Sequence, residues 1–201
     1  MKKLKVNCDS ECIDIAINTI RKGGVVVFPT DTVYGMGCDP YNKDAVMSIY
    51  KIKKRHGSKF FPVLGYSKNE ISKIAVFNEK SEKIAEKFWP GQITLILKLK
   101  DEKIKKSLNL GDKIAVRVPD NQCILSILKE CKLLVGTSAN ISGTLPFTDP
   151  NECAKNISGY DVFIDGGKIS STGESTVVEI GDDLKILREG SVSKQEIIDL
   201  F

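Results

Sequence analysis

The chain has 201 residues, of which 41% are hydrophobic and 28% are charged, and this is enough apolar material for one compact domain over residues 1–201. Glycine and proline are not in excess, so the composition excludes a fibrous repeat and a largely disordered chain. The 30 basic and 26 acidic residues give a net charge of +4, which by itself marks neither a nucleic-acid binder nor a membrane-surface protein.

The first half of the chain mixes helical and strand patterns. Asp9 or Ser10 can cap a helix whose apolar residues recur at helical spacing and which ends at Gly23 and Gly24. A fully apolar strand follows at residues 25–28. The other elements predicted here are a helix capped by Asn42, a short strand at 62–66 and a helix at 79–88.

The second half of the chain contains more strands than helices. Strands are predicted at 93–99, 113–118, 133–135, 162–164, 176–180 and 184–187, and helices at 123–131, 149–157 and 193–200, of which the second is capped at Asp149. Helices and strands do not alternate strictly, and strands follow one another near the C-terminus. The pattern therefore predicts an α/β (α+β) domain with a mixed sheet rather than a regular doubly wound one.

The N-terminal residues do not have the pattern of a signal peptide. Lys2 and Lys3 are followed by acidic residues at 9, 11 and 14, which interrupt any apolar run. The longest apolar stretches are strand-sized and too short to span a bilayer. We therefore expect a cytoplasmic protein that makes no membrane contact.

Six cysteines and one histidine could in principle supply metal or redox chemistry. The cysteine spacings fit no zinc pattern, so we expect all six to be reduced thiols that pack as small hydrophobic side chains: Cys8, Cys12, Cys38, Cys123, Cys131 and Cys153. The single His56 excludes a site built from several histidines. It lies in a cationic, glycine-containing stretch, where we expect it to face solvent.

The first stretch with ligand-binding character is PTDTVYGMG at residues 29–37, directly after the apolar strand. Its threonines offer hydroxyl groups, and Gly35 and Gly37 would let backbone N–H groups approach a ligand closely. An ordinary turn with capping threonines explains the same residues equally well. The residues alone leave both alternatives open.

A basic run, KIKKR at residues 51–55, ends the second predicted helix. Solvated lysines near a helix C-terminus are the ordinary explanation of such a run. Arginine differs because its planar guanidinium can grip a phosphate or carboxylate through two hydrogen bonds. Arg55 is therefore the first candidate catalytic residue, with Lys51 and Lys53 adding positive potential.

Polar groups also follow or interrupt later strands. Asn140, in the loop TSANISG, can donate and accept hydrogen bonds at once, which suits a purine edge or an amino acid. Arg117 lies in the apolar sequence VRVP and needs a partner if it is buried, either a structural counter-ion or a ligand. The chain has neither a GxxxxGK[ST] nor a GxGxxG motif, so a nucleotide would need another arrangement.

Taken together, these stretches resemble the YrdC-like family, the threonylcarbamoyl-AMP synthases, in order and spacing from Ile15 to Arg188. The matching segments are PTDTVYGMG at 29–37, KIKKR at 51–55, VRVP at 116–119, SANISG at 138–143 and ESTVVE at 174–179. The resemblance implies a YrdC-like twisted mixed β-sheet with flanking helices and a positively charged concave cavity. It is closest to the short form of the family, without the extra C-terminal domain of longer relatives.

The resemblance also implies a reaction. The amine of L-threonine takes up bicarbonate or CO₂, and the N-carboxy species attacks the α-phosphorus of ATP and releases pyrophosphate. L-Threonine is then expected to contact Thr32, Arg117, Ser138 and Ser175. ATP, carrying Mg²⁺ on its phosphates without protein ligands to the metal, is expected to contact Arg55, Lys59, Lys113, Asn140, Thr148 and Arg188.

The implied product would pass to a tRNA threonylcarbamoyl-transferase complex that modifies the adenosine beside the anticodon of ANN-decoding tRNAs, and tRNA itself would bind weakly. This chain departs from the family pattern at several positions. It has His56 and Phe60 where proline is frequent, Lys59 where some members have asparagine, Leu64 where some have histidine and Glu174 where proline is common.

Two other functions fit parts of the sequence. A non-catalytic RNA-binding module would use the same basic residues, but aromatic residues make up only 7% of the chain and do not interleave with a basic stretch for base stacking. A related carbamoyl-adenylate activity usually belongs to a domain of a much larger hydrogenase-maturation protein. A steep salt dependence of RNA binding without ATP consumption would favour the first of these.

Overall fold

The computed structural model describes residues 4–55, 60–171, 173–181 and 183–201. The helices in these ranges are α1 (Ser10–Arg21), α2 (Lys43–Lys53), α3 (Lys68–Ser72), α4 (Glu79–Phe88), α5 (Glu102–Ser107), α6 (Gln122–Cys131), α7 (Pro150–Asn156) and α8 (Lys194–Ile198). The strands are β1 (Leu4–Asn7), β2 (Val26–Phe28), β3 (Gly35–Gly37), β4 (Val63–Gly65), β5 (Ala75–Val76), β6 (Ile93–Leu99), β7 (Lys113–Arg117), β8 (Leu133–Val135), β9 (Thr137–Ser138), β10 (Val162–Asp165), β11 (Thr176–Ile180) and β12 (Leu184–Arg188).

The main helices begin at the capping residues that the sequence predicted. The side chain of Asp9 accepts a hydrogen bond from the backbone N–H of Cys12, and Asn42 and Asp149 cap α2 and α7 in the same way. Helix α2 ends at Lys53, and the left-handed conformation of the next residue, Lys54 (φ 49°), places Arg55 outside the helix. Within the described ranges, no helix has both the length and the apolar character needed to cross a bilayer.

The strands form two mixed sheets, where the sequence predicted one. The first sheet has the order β1-β10-β2-β3-β9, and the second has the order β12-β11-β6-β7-β4-β8, with β5 paired to β6. The chain passes from one sheet to the other at Gly136, between β8 and β9. A Cβ atom at Gly136 would lie 2.3 Å from Cγ of Leu64, so glycine is required at this crossing. Only one residue separates β8 from β9, so the sequence does not indicate that the two strands belong to different sheets.

The apolar strand β2 is buried on both faces, which explains why it lacks the alternating pattern of a half-buried strand. Val27 packs in the larger core cluster, whereas Val26 and Phe28 pack in a smaller cluster with residues of α1 and α6. Successive side chains of a strand point to opposite faces. Strand β2 therefore joins both parts of the core and fixes where the loop after it begins.

Gly35 and Gly37 belong to a strand rather than to a loop that wraps a ligand. They form β3, which pairs antiparallel with β2, and Gly35 also pairs with Ser138 of β9. A Cβ atom at Gly37 would lie 2.1 Å from the carbonyl oxygen of Val135, and one at Gly35 would lie 2.9 Å from the ring of Phe28. Close packing of strands accounts for both glycines, and Gly35 also lines the cavity described below.

The prediction of six reduced cysteines is wrong for two of them. Cys8 and Cys123 form a disulfide across 115 residues of sequence, with their Cα atoms 6.1 Å apart. Helices α1 and α6 pack against each other and bring the start of each helix together, which the cysteine spacing could not reveal. Burial raises the pKa of the Cys12 thiol to about 11 and that of Cys153 to about 12, so these thiols pack as small hydrophobic groups, as predicted.

Candidate functional site

A cavity of ≈ 320 Å³ is lined by strands of both sheets. Strands β6, β7 and β11 are neighbours, and alternation along each strand places every second side chain on the cavity face. The polar residues that line the cavity are Thr30, Thr32, Thr94, Thr137, Ser138, Ser175, Arg55, Arg117, Arg188 and Glu174. Apolar side chains between them include Phe28, Leu64, Ile96, Ala115 and Val177.

Arg117, at the end of β7, is a buried cation with a buried counter-ion. Its Nη2 lies 2.6 Å from Oδ1 of Asp31, and the two side chains are only 8% and 10% exposed. Its Nε donates to the carbonyl oxygen of Gly91 at 2.8 Å, and Nη1 donates to Oγ1 of Thr32 at 3.1 Å. Burial lowers the pKa of the guanidinium, and Asp31 opposes that shift. Arg117 therefore has a structural counter-ion, one of the two alternatives that the sequence left open, and it also lines the cavity.

The threonines of the first motif form a turn that fixes hydroxyl groups at the cavity wall. The Thr30 hydroxyl donates to the carbonyl oxygen of Val33 at 2.7 Å, and its oxygen accepts from the backbone N–H groups of Thr32 and Val33. The hydroxyl oxygen of Thr32 lies 3.0 Å from that of Thr30. The Thr32 oxygen also accepts from Arg117. Thr32 lines the cavity, so its hydroxyl group is available to a ligand. The capping and ligand-binding interpretations of this motif are thus compatible.

Lys53 lies in the interior and organises the loop that carries Ser138. Its ammonium donates to the carbonyl oxygens of Ser138 and Asn140 and to Oδ1 of Asn140, and its side chain is 1% exposed. Burial lowers its pKa from 10.5 to about 8, with Arg55 adding to the shift and Glu174 opposing it. Lys53 is therefore placed to position Ser138 and Asn140.

The amide of Asn140 is itself held on both sides. Its Oδ1 accepts from Lys53 and from the Ser138 hydroxyl at 2.7 Å, and its Nδ2 donates to the carbonyl oxygen of Thr144. Asn140 is buried behind Ser138 rather than among the residues that line the cavity. The Ser138 hydroxyl proton is used within the protein, so Ser138 also presents an acceptor oxygen to the cavity.

Another part of the cavity wall is formed around Ser175, which precedes β11. Its Oγ lies 2.9 Å from Oγ1 of Thr94, and its carbonyl oxygen accepts from Nε and Nη2 of Arg188 at 3.1 and 2.8 Å. Arg188 Nη1 also lies 3.0 Å from Oε2 of Glu174. The residues just before β11 and the last residue of β12 thus bring a hydroxyl, a carboxylate and a guanidinium to one place.

Arg55 reaches the cavity from the segment after α2. Its Nη2 donates to the carbonyl oxygen of Phe60 at 3.0 Å, and the guanidinium lies 4.9 Å from the centre of the Phe61 ring. Burial lowers its pKa. Lys51, two residues before Lys53, is exposed on α2 and is not among the residues that line the cavity.

Several residues singled out from the sequence lie elsewhere. Lys113 is 63% exposed and pairs with Glu179 at 2.5 Å, outside the cavity lining. Thr148 is half-buried and also lies outside the lining, where its carbonyl oxygen accepts from Ile169. Lys59 and His56 lie outside the described residues.

Sequence reasoning missed Asp31, Thr94 and Glu174 as members or supports of the site. Asp31 could have been found, because an arginine in an apolar strand requires a counter-ion and this acidic residue lies in the quoted motif. The Thr94 hydroxyl was visible only as a polar residue in an apolar strand. The described residues that line the cavity include no histidine or cysteine.

Fold and cavity together define a mixed α/β protein whose site combines arginine guanidiniums with serine and threonine hydroxyls. Residues 18–190 match the Sua5_yciO_yrdC family model, described as "Telomere recombination", and the chain belongs to this family. The structure of Escherichia coli YciO is similar to this one with a TM-score of 0.85 and 26% identity, covering 96% of this chain and 97% of that one. The predicted YrdC-like fold is confirmed.

Other relatives differ in how much of their length this chain covers. A protein of Methanocaldococcus jannaschii is 38% identical over 182 residues, which is 89% of this chain and 85% of that protein. The threonylcarbamoyl-AMP synthase of Bacillus subtilis is 34% identical over 186 residues, which is 89% of this chain and 53% of that enzyme. The structure of Pyrococcus abyssi Sua5 complexed with L-threonine has a TM-score of 0.89 and 30% identity, covering 100% of this chain and 61% of that one. The chain thus spans about half the length of the Bacillus enzyme.

Proposed function

We propose that this chain is a threonylcarbamoyl-AMP synthase, which condenses L-threonine, bicarbonate or CO₂ and ATP to L-threonylcarbamoyladenylate and pyrophosphate. The observation that carries the proposal is that Thr32, Arg55 and Ser175, from distant segments of sequence, line one cavity. The names of the similar enzymes of Bacillus subtilis and Pyrococcus abyssi support it. The complex of Pyrococcus abyssi Sua5 with L-threonine supports the amino-acid substrate.

The amino acid binds at the end of the cavity formed by Thr32, Arg117, Ser138 and Ser175. The hydroxyl oxygens of Thr32 and Ser138 accept from the amine and hydroxyl groups of threonine, and the Ser138 proton is already donated to Asn140. Arg117 uses three of its five N–H groups within the protein, so it keeps donors for a carboxylate. Because these groups are already fixed, they orient the amine for attack without a large ordering cost.

The nucleotide binds with its phosphates toward Arg55 and Arg188, which line the cavity. Pyrophosphate leaves with charge on its oxygens, and fixed guanidinium groups stabilise that charge. Magnesium enters as the complex with ATP. In such sites Mg²⁺ keeps several waters and is held by substrate phosphates together with one or two carboxylates rather than by a cage of protein ligands.

We further propose that the protein acts in the cytoplasm and hands its product to a tRNA threonylcarbamoyl-transferase complex. A mixed anhydride of a carbamate and a phosphate is hydrolytically reactive, which favours direct transfer to the acceptor enzyme. Co-purification of the chain with transferase components in the presence of substrates tests this partnership.

A pyrophosphate-release assay tests the activity. With ATP, Mg²⁺ and bicarbonate, we expect release that requires L-threonine, compared with serine and with no amino acid. Release without an amino acid would refute the synthase proposal and would favour a carbamoyl-adenylate reaction. Salt-sensitive RNA binding without ATP consumption would favour the RNA-binding module instead.

A further inference from the structure

Glu174 is the only carboxylate among the described residues that line the cavity. Its Oε2 lies 3.0 Å from Nη1 of Arg188, and the two side chains are 37% and 43% exposed. The other carboxylate–guanidinium pair at the site, Asp31 with Arg117, is almost wholly buried. The buried pair is a permanent part of the wall, whereas the half-exposed pair can exchange with solvent or with a ligand.

Arg188 does not depend on Glu174 for its position. Its Nε and Nη2 both donate to the carbonyl oxygen of Ser175, and Nη2 also lies 3.3 Å from Oγ of Ser175. These bonds fix the guanidinium plane against the start of β11. Loss of the Glu174 charge would therefore leave the cation in place and exposed to the cavity.

We propose, on the basis of the proposed function, that Glu174 is a competing counter-ion that a phosphate group must displace from Arg188. With the cavity empty, the carboxylate neutralises the guanidinium. When MgATP binds, a phosphate oxygen takes over the Arg188 donors and Glu174 turns toward solvent. After the reaction, the carboxylate competes again for Arg188 and promotes the release of pyrophosphate. Glu174 thereby limits the affinity of the site for polyphosphate anions.

The magnitude follows from the exposure of the pair. A unit charge about 4 Å from another in a water-like dielectric changes an affinity by about fivefold, and salt screens part of this effect. The variant Glu174→Gln keeps the size of the side chain and an oxygen acceptor for Arg188 but removes the charge. We therefore expect Glu174→Gln to bind inorganic pyrophosphate and MgATP about fivefold more tightly than the unchanged protein.

The test is calorimetric titration of the full chain with MgATP and, separately, with inorganic pyrophosphate, at low and high salt. Glu189→Gln is the matched control, because Glu189 follows Arg188, is exposed and lies outside the cavity lining. Tighter binding by Glu174→Gln that shrinks at high salt, with Glu189→Gln unchanged, supports the proposal. Thermal melting of both variants checks that each is folded.

Equal or weaker binding by Glu174→Gln overturns the proposal, and weaker binding would indicate that the carboxylate assists the nucleotide or its metal. Failure of the proposed function looks different. If the unchanged protein binds pyrophosphate but consumes no ATP with threonine, the synthase proposal is refuted. The competition between Glu174 and the anion for Arg188 can still be measured in that case. If it binds neither MgATP nor pyrophosphate, both ideas fail.

Discussion

The substitution Lys53→Met probes whether the buried ammonium serves catalysis by positioning the Ser138–Asn140 loop. It removes the donor to two main-chain carbonyl oxygens and to the Asn140 side chain. Each orphaned buried carbonyl costs about 1–3 kcal/mol. The lowered pKa of Lys53, about 8 against 10.5, corresponds to roughly 3 kcal/mol disfavouring the charged form, and methionine avoids this cost. Because the terms largely offset each other, we expect the free energy of unfolding to fall by less than about 3 kcal/mol.

The effect on catalysis should be much larger than the effect on stability. Without the ammonium, Ser138 and Asn140 lose the group that fixes their carbonyl oxygens, and a displacement of about 1 Å can cost about 100-fold in rate. We expect pyrophosphate release by Lys53→Met to fall by about that factor in kcat/KM, while thermal melting still shows a folded protein. Lys43→Met, at the exposed start of the same helix, is the control. A Lys53→Met enzyme within a few-fold of the unchanged activity would refute the positioning role.

The pH profile gives a second test of the same role. As pH rises through about 8, Lys53 loses a proton and keeps two N–H donors for its three acceptor oxygens on Ser138 and Asn140. The pH profile of activity should therefore have an alkaline limb, along which activity falls above about pH 8. Between about 8 and 10.5 the unfolded chain holds more protons on this group than the folded one, so its contribution to stability rises with pH there. Activity should therefore fall without loss of stability from this group, and residual activity of Lys53→Met should lack the limb.

Three further predictions concern other parts of the structure. Arg55→Ala should lower pyrophosphate release by about 100-fold or more while the protein stays folded. Lys51→Ala, on the exposed face of α2, is the control and should release pyrophosphate at close to the unchanged rate. An active Arg55→Ala enzyme would contradict the assignment of Arg55. Asp31→Ala should leave Arg117 buried without its counter-ion and lower the free energy of unfolding by about 3–5 kcal/mol. This corresponds to a fall in Tm of about 10 °C. An unaltered Tm would count against the buried ion pair. Thiol titration of the denatured, unreduced protein should find four thiols, and six would show that the disulfide does not form. Compared with the disulfide-bonded protein, Cys8→Ser should have a free energy of unfolding lower by about 4 kcal/mol.

Local chemistry made much of the fold predictable. Helix α4 was predicted with its observed bounds because its apolar spacing is helical and Trp89, Pro90 and Gly91 follow it directly. The caps of α1, α2 and α7 were visible because a capping side chain acts on N–H groups two or three residues away. Short elements such as β5 and α3 were missed, since a few residues carry too little periodicity to distinguish them from loops.

The sequence by itself also determined which residue types supply the chemistry, because guanidinium and hydroxyl groups are identifiable without coordinates. Only the tertiary structure decided where they act. Lys51, Lys53 and Arg55 lie in one basic run, yet they face solvent, interior and cavity respectively, because α2 ends between the second and third of them. The pairing of Cys8 with Cys123 likewise depends on how α1 packs on α6, and such long-range packing leaves no local trace in the chain.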